Sequence, residues 1–312
     1  MASRTQLWIS GARLRTLPLA FAPVVLGAGA ALGQLGGMSA LVIGSVDPSV
    51  DDNINGWALL AKGLLALVVA LALQIGSNYA NDYSDGIRGT DDDRVGPLRL
   101  TASGLIPPEQ VKRAAFICFG IAGFAGLLLT IMSAVWWMLL VGAAAVLAAW
   151  FYTGGKRPYG YMALGEVFVF VFFGLVATLG TTYAMAGRLS PAAWAGAVAV
   201  GLYACAVLKV NNLRDIPTDI EAGKRTLAVL LGDRRSRIVY LALVFLPYPL
   251  LVVPIISGYS GALLAVGSII LVMKPVRAVV HQKTGHALVP AIKHTSIAAL
   301  VYAVLLSLGL AL

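Results

Sequence analysis

The chain has 312 residues, of which 59% are hydrophobic and only 12% charged, and its mean hydropathy is +0.85. A soluble domain of this size must cover its surface with polar side chains, so the composition excludes a soluble fold and predicts an integral membrane protein. The net charge of +9 indicates first the orientation of the chain in the membrane and only weakly the binding of an anionic lipid or substrate. Nothing in the sequence suggests a nucleic-acid partner.

Apolar runs near the length of about 20 residues that crosses a bilayer as a helix recur along the whole chain. We predict nine spans, at 16–36, 57–80, 110–131, 134–151, 162–186, 192–211, 237–257, 259–273 and 294–312. The predicted fold is therefore an all-α integral membrane protein with nine transmembrane helices, in which 1–312 is a single transmembrane domain.

Arginine and lysine lie in alternate loops, as they do on the cytoplasmic side of membrane proteins. They precede span one and follow spans two, four, six and eight, whereas residues 37–56 contain three aspartates and no base, and Arg188 stands alone after span five. This pattern predicts a multi-pass protein of the cell membrane with a cytoplasmic N-terminus, cytoplasmic even-numbered loops and an external C-terminus.

An acidic cluster, NDYSDGIRGTDDDR, occupies residues 81–94 at the cytoplasmic end of span two. Continued helical spacing from Asn78 through Asn81 and Asp82 to Asp85 predicts that these side chains face a common space. Glycines at 86 and 89 allow the chain to turn, which lets Asp91 and its two acidic neighbours fold back toward Asp85.

A second acidic cluster, NNLRDIPTDIEAGKRTLAVLLGD, occupies residues 211–233 at the cytoplasmic end of span six. Its Asn211, Asp215 and Asp219 repeat the four-residue spacing of Asn81 and Asp85. Two such clusters on one side of the membrane are expected if the chain holds two related four-helix halves and one extra helix.

Clustered carboxylates repel one another unless a cation lies between them. Magnesium is the natural candidate because it takes carboxylate, water and phosphate oxygens. Bases follow the acids of both clusters, and the loop YTGGKRPYGY at 152–161 adds a tyrosine and a lysine on the same side, an arrangement that suits a diphosphate. The bases are Arg94 and Arg99 in the first case and Lys224 and Arg225 in the second, and the loop residues are Tyr152 and Lys156. A single acid at the end of a span could equally be a solvated loop residue, but two matched clusters favour a site.

These motifs resemble those of the UbiA superfamily of intramembrane aromatic prenyltransferases. Asn81 and Asp85 match its first motif, except that glycine stands at 89 and the next acid is Asp91; Asp215 and Asp219 match the second. Further likeness to the branch that acts on 1,4-dihydroxy-2-naphthoate lies in Gly89-Thr90-Asp91, the run RVGP at 94–97, Ser103-Gly104, and the Tyr-x-x-x-Lys pattern of Tyr152 and Lys156.

The resemblance implies transfer of a polyprenyl chain from polyprenyl diphosphate to 1,4-dihydroxy-2-naphthoate, with loss of diphosphate and carbon dioxide, at a Mg2+ site in contact with membrane lipid. It assigns metal-binding roles to Asn81, Asp85, Asp91, Asp215 and Asp219, and substrate-binding roles to Asn78, Arg94, Tyr152, Lys156, Asn211, Lys224 and Arg225. The catalytic candidates are Asp82, Asp85, Lys156 and Asp215, with Asp82 either binding metal or polarising a ring hydroxyl.

Two other functions compete with this interpretation. A prenyltransferase for another ring, such as 4-hydroxybenzoate, would carry the same two motifs. A secondary transporter with inverted repeats would place its charges near the midplane of the membrane, whereas these clusters lie at one face.

Glu166 in span five is an intramembrane acid that requires a buried partner, and a structural role is as reasonable for it as a functional one.

Overall fold

The computed structural model describes residues 3–41, 55–90 and 98–312, and in these ranges all regular structure is helical. In chain order the helical segments are α1 (Arg4–Gly11), α2 (Pro18–Gln34), α3 (Gly56–Ile87), α4 (Pro108–Ser133), α5 (Met138–Phe151), α6 (Gly165–Ala186), α7 (Pro191–Glu221), α8 (Leu227–Ile256), α9 (Ser260–Val280) and α10 (Gly285–Ala311). The prediction of an all-helical protein with many apolar spans is confirmed.

The number of membrane crossings is smaller than predicted. Among the described residues seven helices are long and apolar enough to cross a bilayer, namely α3, α4, α6, α7, α8, α9 and α10. An eighth is reached if the bent pair Arg4–Thr16 and Pro18–Gln34, which meet at 52°, forms one span. Each predicted run coincides with a helix, but α5 has only 14 residues, so a count of nine crossings is not confirmed.

Helices α3 and α7 extend beyond their predicted apolar runs. They contain 32 and 31 residues and are therefore about 45–50 Å long, whereas the hydrocarbon core is about 30 Å thick. Asn55 caps the start of α3 and Ser190 that of α7 through their side chains. The surplus length carries the acidic last turns of both helices past the apolar region at the same side of the protein.

Small residues allow the helices to pack closely around α7, the most buried candidate span. A Cβ added to Gly174 in α6 would lie only 2.6 Å from the Cα of Gly201 in α7. Gly29 in α2 likewise faces Ser307 in α10 so closely that an added Cβ would clash with the backbone. Such contacts are typical of membrane helices, which associate through close van der Waals packing because the hydrophobic effect does not act between helices in lipid. The tightly packed α7 therefore gives its polar end a rigid support.

Candidate active site

A cavity of about 600 Å³ lies among α2, α3, α4, α5, α6 and α7. One end of it, which we call the mouth, is polar, and the other is lined by apolar side chains of α2 to α6. The sequence-predicted residues that line the cavity are Asn78, Asn81, Asp85, Arg99, Tyr152, Asn211, Asp215, Asp219 and Lys224. The ends of α3 and α7 thus bring both acidic clusters to one space.

Asp85 in the last turns of α3 is buried and surrounded by donors. The Tyr161 hydroxyl donates to its Oδ1 at 2.5 Å, and the Lys224 Nζ lies 3.5 Å from its Oδ2. An Nη2 of the buried Arg99 lies 4.0 Å from the same Oδ2. Asp85 is therefore contacted by groups from three separate segments of the chain, one of them belonging to the second acidic cluster.

Two acids of the second cluster, Asp215 and Asp219, also line the mouth. Arg214 donates from Nε and Nη2 to the two carboxylate oxygens of Asp215, both at 2.6 Å, and its Nη2 also donates to Asn211 Oδ1 at 3.0 Å. Thr226 donates to Asp219 Oδ2 at 3.3 Å. The bidentate contact holds Asp215 in a fixed direction.

Part of the 152–161 loop lines the mouth, and the loop is joined to the end of α3. Thr153 donates to Asn81 Oδ1 at 2.8 Å, and Arg88 donates to the backbone oxygens of Thr153 and Gly155. Burial, and then the negative charge of Asp85, raises the pKa of the Tyr161 phenol. Tyr161 therefore stays protonated at neutral pH and keeps donating to Asp85.

Asp82 does not share the common space predicted for it. Its two carboxylate oxygens accept the backbone N–H groups of Leu100 at 2.9 Å and Thr101 at 2.8 Å, and its side chain does not line the cavity. Asp82 lies at the edge of this helix face, about 100° from Asn81, and the segment that packs there supplies the two backbone N–H groups that hold its carboxylate. Asp82 thus fastens the segment after residue 98 to α3, and its catalytic role stays a prediction.

Two predicted bases do not reach the cavity. The side chains of Lys156 and Arg225 are exposed and are absent from its lining, so the structure does not bring them together with the acids. Arg225 contributes only a backbone N–H, which donates to the Tyr161 carbonyl at 3.0 Å. Asp91 and Arg94 lie outside the described residues.

The mouth offers the type of ligand that magnesium prefers. Its acids and amides, Asn81, Asp85, Asn211, Asp215 and Asp219, present oxygen atoms to one space. Within ranges 3–41, 55–90 and 98–312, no three His, Cys, Asp or Glu side chains converge on one point. Magnesium commonly uses one or two carboxylates and completes its shell with water and substrate phosphate, so this donor set fits Mg2+ together with a diphosphate.

Three features of the site escaped the sequence analysis. The sequence placed Tyr161 in the 152–161 loop but gave it no role, because its contact with Asp85 spans 76 positions. Arg214 was visible only as a loop base. The fully buried Lys209 in α7 lies 2.7 Å from Glu166 in α6, and an intramembrane lysine two residues before the acidic cluster was the signal that could have revealed this pair.

Comparison with known proteins agrees with the geometry. The model of the UbiA prenyltransferase family matches residues 50–297. The 1,4-dihydroxy-2-naphthoate octaprenyltransferase of Mycobacterium tuberculosis is 46% identical, covering 100% of this chain and 98% of that protein. The protein of the same name from Escherichia coli is 43% identical over 75% of this chain and 71% of its own length.

Solved structures show the same fold. A UbiA homolog from Aeropyrum pernix has a TM-score of 0.62 at 17% identity, covering 93% of this chain and 96% of that one. A UbiA homolog from Archaeoglobus fulgidus, bound to GPP and Mg2+, has a TM-score of 0.54 at 14% identity, covering 94% of this chain and 99% of that one. With its two acidic clusters at one cavity and its matched relatives, the chain belongs to the UbiA prenyltransferase family.

Proposed function

We propose that the chain transfers a polyprenyl group from polyprenyl diphosphate to 1,4-dihydroxy-2-naphthoate, releasing diphosphate and carbon dioxide and forming the hydroquinone form of demethylmenaquinone for menaquinone biosynthesis. The observation that carries the proposal is one cavity whose mouth is lined by Asp85, Asp215 and Asp219 and whose depth is apolar. A diphosphate suits the mouth and a polyprenyl tail suits the depth. The names of the relatives at 43–46% identity support naphthoate as the acceptor.

The residues suit ionisation of an allylic diphosphate. Magnesium, when bound, neutralises the diphosphate as it leaves. Asp85, Asp215 and Asp219 would hold the metal, while Lys224 and Arg99 lie close enough to Asp85 to reach the remaining phosphate charge. Apolar side chains around the deeper cavity exclude water, which would otherwise capture the allylic cation as an alcohol. The electron-rich ring then attacks the cation.

A transfer assay with protein in lipid nanodiscs tests the proposal. A polyprenyl diphosphate is offered with either 1,4-dihydroxy-2-naphthoate or 4-hydroxybenzoate, with Mg2+ or with excess chelator. We expect a prenylated naphthalene product and release of carbon dioxide only with the naphthoate and only with Mg2+. Product from 4-hydroxybenzoate alone would contradict the acceptor, full turnover in chelator would contradict the metal, and no transfer to either ring would contradict the activity.

We assign the third acid of the first metal site to Asp91, which the resemblance to the naphthoate branch supports. The matched control is Asp93, two residues on in the same acidic run, because neighbouring side chains in a turn point in different directions. Asp91→Ala should lower turnover and raise the Mg2+ concentration needed for half activity much more than Asp93→Ala. Equal effects would mean that the run acts as a diffuse charge.

The membrane arrangement is also part of the proposal. We infer nine crossings in the cell membrane, formed by two related four-helix halves plus one helix in a single domain, with the mouth and N-terminus cytoplasmic. The alternation of basic loops and the presence of both acidic clusters at one mouth support it. Single cysteines at exposed Arg157 and at Arg188, labelled with an impermeant maleimide, should react from opposite sides of the membrane.

A further inference from the structure

The segment that joins α1 to α2, residues 12–16, is fastened to the inner face of α3. Asn78 donates to the Ala12 carbonyl at 3.0 Å, and Gln74 donates from Nε2 to Thr16 Oγ1 at 3.2 Å. Within the segment, Thr16 donates to the Arg13 carbonyl at 2.9 Å. These bonds hold Arg13, which has a left-handed backbone with φ of 54°, at the wall of the cavity.

Two buried polar atoms of this wall have no partner in the part of the chain that the structure describes. They are Nη2 of Arg13 and Oε1 of Gln74, and both residues line the cavity. Gln74 is only 7% exposed. Burying a donor and an acceptor without partners is costly, so a cationic donor and a neutral acceptor beside one cavity point to a bound ligand.

The hydrogen-bond network determines which atom Gln74 presents. The Thr16 hydroxyl gives its proton to the Arg13 carbonyl, so Thr16 Oγ1 acts as an acceptor toward Gln74. Gln74 must therefore turn its NH2 toward Thr16 and leave its oxygen unpaired. The wall thus offers a guanidinium donor and an amide acceptor, and these are complementary to a ligand that carries both a carboxylate and a hydroxyl.

This wall lies between the mouth and the apolar end of the cavity. Gln74, Asn78, Asn81 and Asp85 all line the cavity from α3, and the rise of 1.5 Å per residue places Gln74 about 16 Å along the helix from Asp85. A diphosphate could not satisfy Gln74 Oε1, because its oxygens are acceptors. An aromatic hydroxy acid could satisfy both orphan atoms.

We propose that Arg13 and Gln74 select the acceptor ring, with the guanidinium of Arg13 binding its carboxylate and the amide oxygen of Gln74 accepting its neighbouring hydroxyl. The proposal rests on the proposed function and names the residues that recognise the acceptor of that same reaction. Arg13 and Gln74 are positioning residues for the ring, and they bind no part of the diphosphate.

Equilibrium binding to the full-length protein in nanodiscs tests the proposal without relying on turnover. The probes are 1-hydroxy-2-naphthoate, 1-naphthol, which lacks the carboxylate, and 2-naphthoate, which lacks the hydroxyl. Loss of a hydrogen bond to a charged group costs about tenfold or more in affinity, so Arg13→Gln should weaken binding of 1-hydroxy-2-naphthoate by at least that factor and leave 1-naphthol nearly unchanged. Gln74→Leu should weaken 1-hydroxy-2-naphthoate more than 2-naphthoate.

Controls separate recognition from folding and from phosphate binding. Arg113→Gln removes an exposed cation of α4 and should alter none of the three affinities, while Arg13→Lys, which keeps the charge, should recover part of the lost affinity. Equal weakening of 1-hydroxy-2-naphthoate and 1-naphthol by Arg13→Gln would overturn the proposal, as would a raised KM for polyprenyl diphosphate with an unchanged KM for the naphthoate.

The proposed function fails separately. If the unmodified protein transfers no prenyl group to the naphthoate, the function is wrong whatever Arg13 does. If it transfers the group normally, and Arg13→Gln keeps the full preference for 1-hydroxy-2-naphthoate over 1-naphthol, only the assignment of Arg13 is wrong. If the Arg13 variants do not fold, Gln74→Leu provides the test. An equal loss of affinity for 1-hydroxy-2-naphthoate and for 2-naphthoate in that variant would overturn the inference.

Discussion

Asp85 connects the two acidic clusters through its own contacts. Its carboxylate faces Tyr161, Lys224 and Arg99, so its negative charge is balanced by cations of the protein in this structure. A metal ion with a diphosphate carries both charge signs and can take over these contacts, with the carboxylate on the metal and the bases on the phosphates.

Removal of this charge should stop catalysis and leave the fold intact. Asp85→Asn keeps the size of the side chain but weakens metal binding, so we expect turnover to fall by at least a hundredfold with little change in Tm. The control is Glu221→Gln, an exposed acid at the end of α7, which should retain near-normal turnover. Activity at various Mg2+ concentrations and a thermal melt measure both effects, and normal turnover in Asp85→Asn would contradict the metal role.

Asp82 should behave differently from its neighbour. In Asp82→Asn, one oxygen that accepts a backbone N–H becomes an NH2 group that cannot accept it, and leaving a buried donor unpaired costs about 1–3 kcal/mol. We expect a lower Tm, together with an unchanged Mg2+ requirement for the folded fraction. A raised Mg2+ requirement at unchanged Tm would restore Asp82 to the metal site.

The contact between α6 and α7 depends on a charged pair buried beside the cavity. Lys209 is fully buried and its Nζ lies 2.7 Å from Glu166 Oε1, as an ionic contact without the alignment of a good hydrogen bond. Cys205 donates to the Glu166 carbonyl at 3.2 Å. The pair explains how an acid is tolerated inside an apolar helix. Lys209 is the buried partner that the sequence predicted Glu166 to require.

Breaking this pair should destabilise the protein more than removing it. Lys209→Met leaves Glu166 as a buried charge without its partner, which costs about 3–5 kcal/mol when one member of a buried pair is deleted. The double variant Glu166→Gln with Lys209→Met should recover most of that loss. Chemical or thermal unfolding of the single and double variants checks the coupling, and additive losses would show that the two side chains act independently.

The shape of the cavity accounts for the kind of substrate that the whole molecule accepts. Acids and bases gather where α3, α7 and the loop after α5 meet, and the deeper walls consist of small or apolar side chains from α2 to α6. A long prenyl chain therefore has a path away from the charged mouth, and the volume of that path should limit the length of the chain.

Filling the apolar part should shift the preference toward shorter donors. Gly126 in α4 lines the cavity, and a Cβ added there would meet only Val69 at 3.8 Å. Gly126→Leu should therefore raise KM for long polyprenyl diphosphates more than for short ones. The control is Gly120→Leu on the same helix, where a Cβ meets nothing within 4 Å and the cavity is not lined. An identical profile for both variants would contradict this path.

The sequence by itself determined the membrane class, the helical runs and the two acidic motifs. These features are local: a run of apolar residues specifies a bilayer helix whatever surrounds it, and four-residue spacing places side chains on one side of that helix. For this reason Asn211, Asp215 and Asp219 could be assigned to one space from their positions alone. Asp82 shows the limit of the same reasoning, because a residue at the edge of that face is held by the backbone of Leu100 and Thr101, which its position on the helix does not reveal.

Only the tertiary structure decided which side chains meet across helices. Tyr161 reaches Asp85 over 76 positions, Lys224 reaches it over 139, and Gln74 meets Thr16 over 58. Lys156 and Arg225 carry the right charge in adjacent loops and still face outward. Such partners depend on the packing of helices, which is governed by small-residue contacts distributed over the whole chain, and no short stretch of sequence contains that information.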